Sequence, residues 1–313
     1  MPPREGEWNL SYSANGVYPG ANFTFGTIRT GYYLLEPYEI TYADTDAGDT
    51  PMPQEDGVRL GQDYRGQATI TFEVGVDTVD DAPTAHGRHG ANLDAVSTML
   101  QAWDAEALRR RFATPAVLST TQGGRSRRFY GRPRKPAPAG SKLTRQGYTP
   151  VVCTFVCVDS TAYDDVEQSI RVSLVPPSHY GLVGPLTTPL TMTRESEGKI
   201  AGDFIVGGTK PAWPVITFYG PIANPVCELV GRWKVGLNLT LGVGERVVVD
   251  PRPWVRTVMR NGNASVAGLL TRGTPRLKDL RLPLGRQDFV LRGTDATGTA
   301  YMTVAWRDAC AYL

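Results

Sequence analysis

The side chains best suited to chemistry in this 313-residue sequence are few and scattered. Its three histidines are His86 and His89, in the glycine-rich stretch TAHGRHGAN, and His179, just after Pro176-Pro177. A His-x-x-His pair can offer two imidazoles to zinc, but no Glu or third ligand stands beside this one. Both histidines are therefore read as loop residues leading into a helix. Of the four cysteines, Cys153 and Cys157 lie four apart in VVCTFVCVD, while Cys227 and Cys310 stand alone. That spacing puts the first two on one face of a strand and is not the Cys-x-x-Cys of redox or zinc sites, so all four are expected to be ordinary buried thiols. Asp44, Asp46 and Glu55 match the outer ligand positions of a calcium-binding loop. Gly48 and Asp49 then fail the pattern, and Pro51 and Pro53 break it. Residues Asp44 to Asp56 are read as a solvated acidic loop. No nucleophile elbow, His-Glu-x-x-His or phosphate-binding loop occurs, and no residues nominate a carboxylate pair for glycoside hydrolysis. The chain is read as a non-enzyme with no catalytic, cofactor or metal site.

The strongest local anomaly is electrostatic. Between Ala107 and Gln146 there is no Asp or Glu, yet Arg109, Arg110, Arg111, Arg125, Arg127, Arg128, Arg132, Arg134, Lys135, Lys142 and Arg145 are all basic. Such a stripe, with Phe129 and Tyr130 interleaved, suits three uses: contact with an acidic protein surface, a solvated face, or phosphate neutralisation. The balancing acids are in the same chain, at Asp44 to Asp56, Asp77 to Asp81 and Asp159 to Glu167. Contact between copies thus needs no outside partner. The first nine of these basic residues, Arg109 to Lys135, form the candidate subunit or partner interface.

The elements that must position them read as mainly β. WNLSYSANG, NFTFGTIRT and YYLLEPYEITYAD are short runs of aromatic and β-branched residues between turns. In ATITFEVGV, Ala68, Ile70, Phe72, Val74 and Val76 alternate with polar residues, as in a half-buried strand. A helix is expected over 93–112, with Asn92 as its N-cap and Leu93, Val96, Met99, Leu100, Trp103, Ala107 and Leu108 on one stripe. Thr114-Pro115 ends it. A basic hairpin follows over 116–132, turning at Gln122-Gly123-Gly124. From SIRVSLVPP onward the helical period vanishes. PLTMTRE, KIAGDFIVGG, WPVITFYGP, CELVGRWKVGLNLTLG, RVVVDPRPWVRTVMRNG, FVLRGT and AYMTVAWRD are strand candidates of a sandwich. The expected domains are 1–165 and 166–313.

Composition agrees: 34 Gly and 24 Pro punctuate the chain too often for a helical bundle, and 41% hydrophobic residues exclude a disordered one. A net charge of +2 gives no global pull towards nucleic acid or a membrane. The longest stretch without charge, Val172 to Thr193, holds four prolines and cannot span a bilayer as a helix. The start, MPPREGEW, has no apolar segment and is read as lacking a signal peptide.

Taken in order, these segments resemble the distal tail proteins (Dit) of long-tailed phages, the siphovirus-type tail components also called minor tail proteins. The resemblance is carried by KPAWPVITFYGPIANPVCELV, with Gly-Pro and Asn-Pro turns; by GERVVVDPRPWVRTVMRNG; and by FVLRGTDATGTAYMTVAWRDACAYL, read as a closing hairpin. The order of DGVRLGQDYRGQATITFEV, the single helix, the arginine-bearing hairpin and TPVVCTFVCVDSTAYDD agrees with it. The resemblance implies a mainly β fold, with an N-terminal ring (belt) domain bearing one α-helix and a C-terminal galectin-like β-sandwich. It implies a structural role: a hexameric ring at the tail tip, joining the tail tube to the hub or baseplate around a DNA channel. Its partners would be further copies of itself, the tail tube protein, the tail hub or tail-associated protein and the tape-measure protein. No membrane or specific nucleic acid is implied, although DNA would pass through the ring. The location implied is the distal end of the virion tail, with assembly in the host cytoplasm. A carbohydrate-binding host-adhesion module is the alternative. The galectin sugar motifs are absent from residues 165–313, however, so Trp213, Trp233, Trp254 and Trp306 are expected to serve packing.

Overall fold

The computed structural model describes residues 2–174 and 202–313. His179, the candidate strand PLTMTRE and the start of KIAGDFIVGG lie outside them. The chain divides into two compact units, Met1–Asp165 with Cys310–Leu313, and Val166–Ala309. The last four residues, expected in the sandwich, thus belong to the first unit. There Cys310 is buried in the core, and the Tyr42 hydroxyl donates to the Ala311 carbonyl at 3.1 Å.

The first unit opens with strands β1 (Trp8–Tyr12), β2 (Ala21–Phe25), β3 (Tyr32–Leu34) and β4 (Glu39–Tyr42). Four two-residue strands follow: β5 (Thr45–Asp46), β6 (Thr50–Pro51), β7 (Val58–Arg59) and β8 (Tyr64–Arg65). Then come β9 (Ala68–Asp77), helices α1 (Ala85–Asp104) and α2 (Glu106–Arg109), and strands β10 (Ala116–Gln122), β11 (Arg125–Pro138), β12 (Tyr148–Cys157) and β13 (Ala162–Asp164). The main sheet is ordered β2-β1-β10-β11-β12-β9-β3, with β4 also on β9 and β13 on β11. The alternation read in the sequence sets its faces. Ala68, Ile70, Phe72, Val74 and Val76 are all buried, as are Val151, Cys153, Phe155 and Cys157 of β12. Trp8, Phe25, Phe72 and Trp103 form an edge-to-face aromatic cluster at the centre, where α1 packs on the sheet.

The helix differs from its expected 93–112. It starts eight residues earlier, because Thr84 caps it by accepting a hydrogen bond from the Gly87 N–H at 3.1 Å. His86 and His89 are therefore on the helix, and His89 Nδ1 lies 3.1 Å from the Thr144 carbonyl. It breaks at Ala105, whose φ of 46° is left-handed, and the short α2 follows. Asn92 is no cap. It is fully buried, donating to the carbonyls of Val76 and Gly147 and accepting from the Thr149 hydroxyl at 2.6 Å, which ties α1 to β9 and β12. Leu93, placed on the apolar stripe, is 51% exposed; Val96, Met99, Trp103, Ala107 and Leu108 of that stripe are buried.

Residues 43–66 are not a loop but an arm. β4 and β9 continue past the sheet as one antiparallel hairpin, pairing Tyr42 with Ala68, Thr45 with Arg65, Asp46 with Tyr64 and Thr50 with Arg59. The pairing slips by one residue near Gly48 and Gly61. A Cβ on Gly61 would come 2.0 Å from the Gly48 carbonyl oxygen, so only glycine fits.

The second unit is a sandwich of two antiparallel sheets. One contains β14 (Gln168–Ser173), β16 (Val215–Tyr219), β20 (Arg246–Asp250), β21 (Thr257–Arg260), β22 (Ala264–Ser265) and β24 (Tyr301–Trp306). The other contains β15 (Asp203–Val206), β17 (Ile222–Leu229), β18 (Trp233–Gly236), β19 (Thr240–Leu241) and β23 (Gly285–Thr294). Ile216, Phe218, Val247, Val249, Met302 and Val304 of the first sheet are buried, as are Cys227, Leu229, Phe289 and Leu291 of the second. The Phe204 ring of β15 meets Trp306 of β24 with centroids 4.7 Å apart. Two local expectations fail here. Asn224-Pro225 is a bulge within β17, where the register against β23 shifts, rather than a turn. The supposed closing hairpin is a crossover, since β23 and β24 lie in different sheets.

Candidate subunit or partner interface

The nine candidate cations lie on α2, the loop after it and the β10–β11 hairpin. The hairpin turns through Gly123 and Gly124, at φ 58° and 73°, between paired Gln122 and Arg125. Two positive φ values in a two-residue loop are what glycine supplies without strain. The Glu5 carboxylate accepts both turn N–H groups, at 2.6 and 3.1 Å, and fixes the tip. β11 runs on to Pro138, beyond the expected end at 132.

The stripe is not one surface of free charge. Arg109 pairs with Asp104 at 2.7 Å and Arg110 with Glu106 at 2.9 Å, and Arg110 also covers the Tyr18 ring at 4.6 Å. The Glu106 hydrogen bond raises the Arg110 pKa. Arg127 pairs with Asp164 at 2.9 Å and Arg128 with Asp165 at 2.8 Å, both largely buried between β11 and the segment containing β13. Burial works against the Arg128 charge, but the Tyr130 and Asp165 partners outweigh it and hold its pKa above the ordinary value. Arg132 donates to the carbonyls of Thr114 and Arg111, at 3.1 and 2.6 Å. Burial, helped by the neighbouring Arg134 charge, lowers its pKa.

Arg111, Arg125, Arg134 and Lys135 remain exposed with no ion pair among the described residues. Arg125 stands at the hairpin tip. The Arg132 guanidinium holds the 111–114 loop, with Arg111 in it, against β11, on which Arg134 and Lys135 follow. Phe112, 98% exposed, sits in that loop. Sequence reading missed it by counting it as the helix end. An exposed phenylalanine next in sequence to an exposed arginine has the make-up of an interface anchor.

Elsewhere the chemistry is closed. All four cysteines are buried, and burial raises the thiol pKa of Cys153, Cys227 and Cys157, the last to about 12 with help from Asp159. Trp213, Trp254 and Trp306 are buried, and the Trp233 N–H donates to the Arg281 carbonyl at 2.9 Å. An open groove of about 540 Å³ over β1 and β2 carries polar side chains that already have partners: Asn9 donates to Asn22 and Thr24, and Arg29 to Glu7. Among the described residues no three His, Cys, Asp or Glu converge as metal ligands, and no helix is long and apolar enough to cross a membrane.

No protein-family model and no curated protein matches the chain. Among solved structures it is similar to the SPP1 Dit (gp 19.1) protein, described as a paradigm of the hub adsorption apparatus in phages infecting Gram-positive bacteria. The TM-score is 0.54 at 11% identity, over 96% of this chain and 98% of that one. Chains of the phage P2 baseplate in its activated conformation, with Ca and with Sr, align at TM-score 0.49 and 7% and 8% identity, over 96% of this chain and 97% of theirs. The chain thus has a Dit-like, mainly β fold: a β-rich N-terminal unit carrying one long helix, followed by a galectin-like β-sandwich.

Proposed function

We propose that this chain is a structural component of a phage tail end, a hub or baseplate protein that assembles as a closed, hexameric ring between tail tube and tip. The observation that carries the reading is the end-to-end agreement with SPP1 Dit, which spans both units rather than one common sandwich. A ring of identical subunits closes by a heterologous interface, one edge meeting a different edge of the next copy. The first unit offers unlike features for this: an acidic arm, and the exposed cations Arg111, Arg125, Arg134 and Lys135. Its partners would be other copies, the tail tube, the hub and the tape-measure protein, with DNA passing along the axis; it would be built into the virion after assembly in the host cytoplasm. The basic candidates then act in contact between proteins, with Arg111, Arg125, Arg134 and Lys135 the ones free to do so. Native mass measurement of the full chain should give a species near six times 34.1 kDa. Electron microscopy of tails with the chain labelled should place it at the distal end. Labels along the tail shaft or on the head would refute the reading.

A further inference from the structure

The sandwich holds an open cavity of about 360 Å³ beside the bulge of β17, large enough for a small ligand. Backbone pairing builds its walls. The Leu237 N–H donates to the Pro225 carbonyl at 3.0 Å, Asn238 to Leu269 at 2.8 Å and Thr271 to Gly236 at 2.9 Å, so that β17, the run after β18 and residues 268–272 enclose one hollow. Asn224 lines it from the bulge with left-handed backbone, φ 50°, directly before Pro225, where a proline ring ordinarily keeps its predecessor extended. Its N–H, bonded to the Leu239 carbonyl at 2.8 Å, holds it there. Bulges and strained backbone of this kind serve to aim a side chain. The lining divides by chemistry. Val226, Leu237, Leu269 and Leu270 are aliphatic. The Asn224 and Asn238 amides and the Arg272 guanidinium are exposed, with no hydrogen-bond or ion-pair partner among the described residues. No acid lines the hollow. Of the charges on neighbouring elements, Lys234 passes Gly273, where an added Cβ would lie 3.6 Å from its Cε, and Arg292, opposite Val226 in the ladder, already pairs with Glu228 at 2.8 Å.

We propose that this hollow binds an acidic sugar residue, its ring against Val226 and Leu269, its hydroxyls on the Asn224 and Asn238 amides and its carboxylate on Arg272. A sugar ring offers apolar C–H faces to aliphatic side chains and hydroxyls that both give and accept, as a side-chain amide does. The guanidinium selects for the acid, because its planar fork matches a carboxylate in two parallel hydrogen bonds. The site uses none of the galectin sugar motifs, which the chain lacks, and none of the four sandwich tryptophans. It goes beyond the ring reading and does not depend on it.

Titration of the full chain with D-glucuronate, D-galacturonate and N-acetylneuraminate, followed through the asparagine side-chain amide signals in NMR spectra, tests this directly. At least one of the three should move the Asn224 and Asn238 signals saturably, with half-saturation on the order of 1–10 mM. D-glucose, which has nothing for the guanidinium, should need at least about tenfold more. Arg272→Ala should weaken the acidic sugar by a similar factor and bring it level with glucose. Asn224→Gly suits the left-handed backbone and removes only the amide, so it should weaken acidic and neutral sugars alike while leaving thermal unfolding unchanged. No saturable movement with any of the three acids at about 50 mM would overturn the proposal. So would movement that Arg272→Ala and Asn224→Gly leave intact, or inorganic phosphate acting as strongly as the sugar, which would reduce the site to a contact for any anion. None of these outcomes bears on the ring, which microscopy of the tail end judges separately.

Discussion

Glu7 shows how a single side chain can hold a sheet edge. Its carboxylate is buried, paired with Arg29, and accepts from the Arg4 N–H and the Thr27 hydroxyl. Burial alone would raise its pKa; the Arg29 and Arg4 partners prevail and hold it below the ordinary 4.5. A depressed carboxylate stabilises the fold above its unfolded pKa and loses that contribution as pH falls through the folded one. Glu7→Gln should therefore lower stability at neutral pH by about 1–3 kcal/mol, with the gap to the parent closing below about pH 4.5 in pH-resolved thermal melts. The arginines divide by the same reasoning. Arg128→Glu strands Asp165 and should cost roughly 2–4 kcal/mol in a denaturant titration, whereas Arg125→Glu should leave the melt unchanged because its charge is solvated. All four thiols should resist a thiol reagent until the chain is unfolded, which a labelling time course would read.

At the scale of elements, α1 is held by what it buries more than by its own periodicity. Trp103 fills the aromatic centre and donates its N–H to the Thr154 carbonyl at 3.0 Å, so Trp103→Ala should destabilise by about 3–5 kcal/mol. Asn92→Ala removes three hydrogen bonds from a buried site, although the Gly147 carbonyl keeps Thr78 and the Thr149 hydroxyl keeps Thr144 as partners. Its cost should be about 2–4 kcal/mol by calorimetry, more than an exposed capping residue would show. The early start of α1 was hard to read because Gly87, Gly90 and two histidines disfavour a helix locally. The Thr84 cap and the packing of later turns override that preference.

For the whole molecule, the exposed charges of the arm and of Arg111, Arg125, Arg134 and Lys135 predict salt-sensitive assembly. Raising salt from about 0.05 to about 0.5 M shortens the screening length severalfold, and native mass measurement across that range should show oligomer giving way to monomer. Stability of the isolated chain should change little over the same range. Its stronger ion pairs, Arg127–Asp164 and Arg128–Asp165, are shielded by the strands around them.

Residue types and their alternation were enough to determine that this is a mainly β protein with one long helix, because period-two burial in segments such as 68–76 is written in adjacent residues. The Gly-Gly hairpin was legible for the same reason: its turn chemistry is local. What only tertiary structure decided was pairing between distant residues. It decided which arginines pair with Asp164 and Asp165 and which are exposed, that Asn92 faces inward, and that Phe112 is exposed. It also made an acidic stretch with two prolines into a paired arm and put β23 and β24 into separate sheets. Those outcomes depend on contacts between residues far apart in the chain, whose closeness no local pattern encodes.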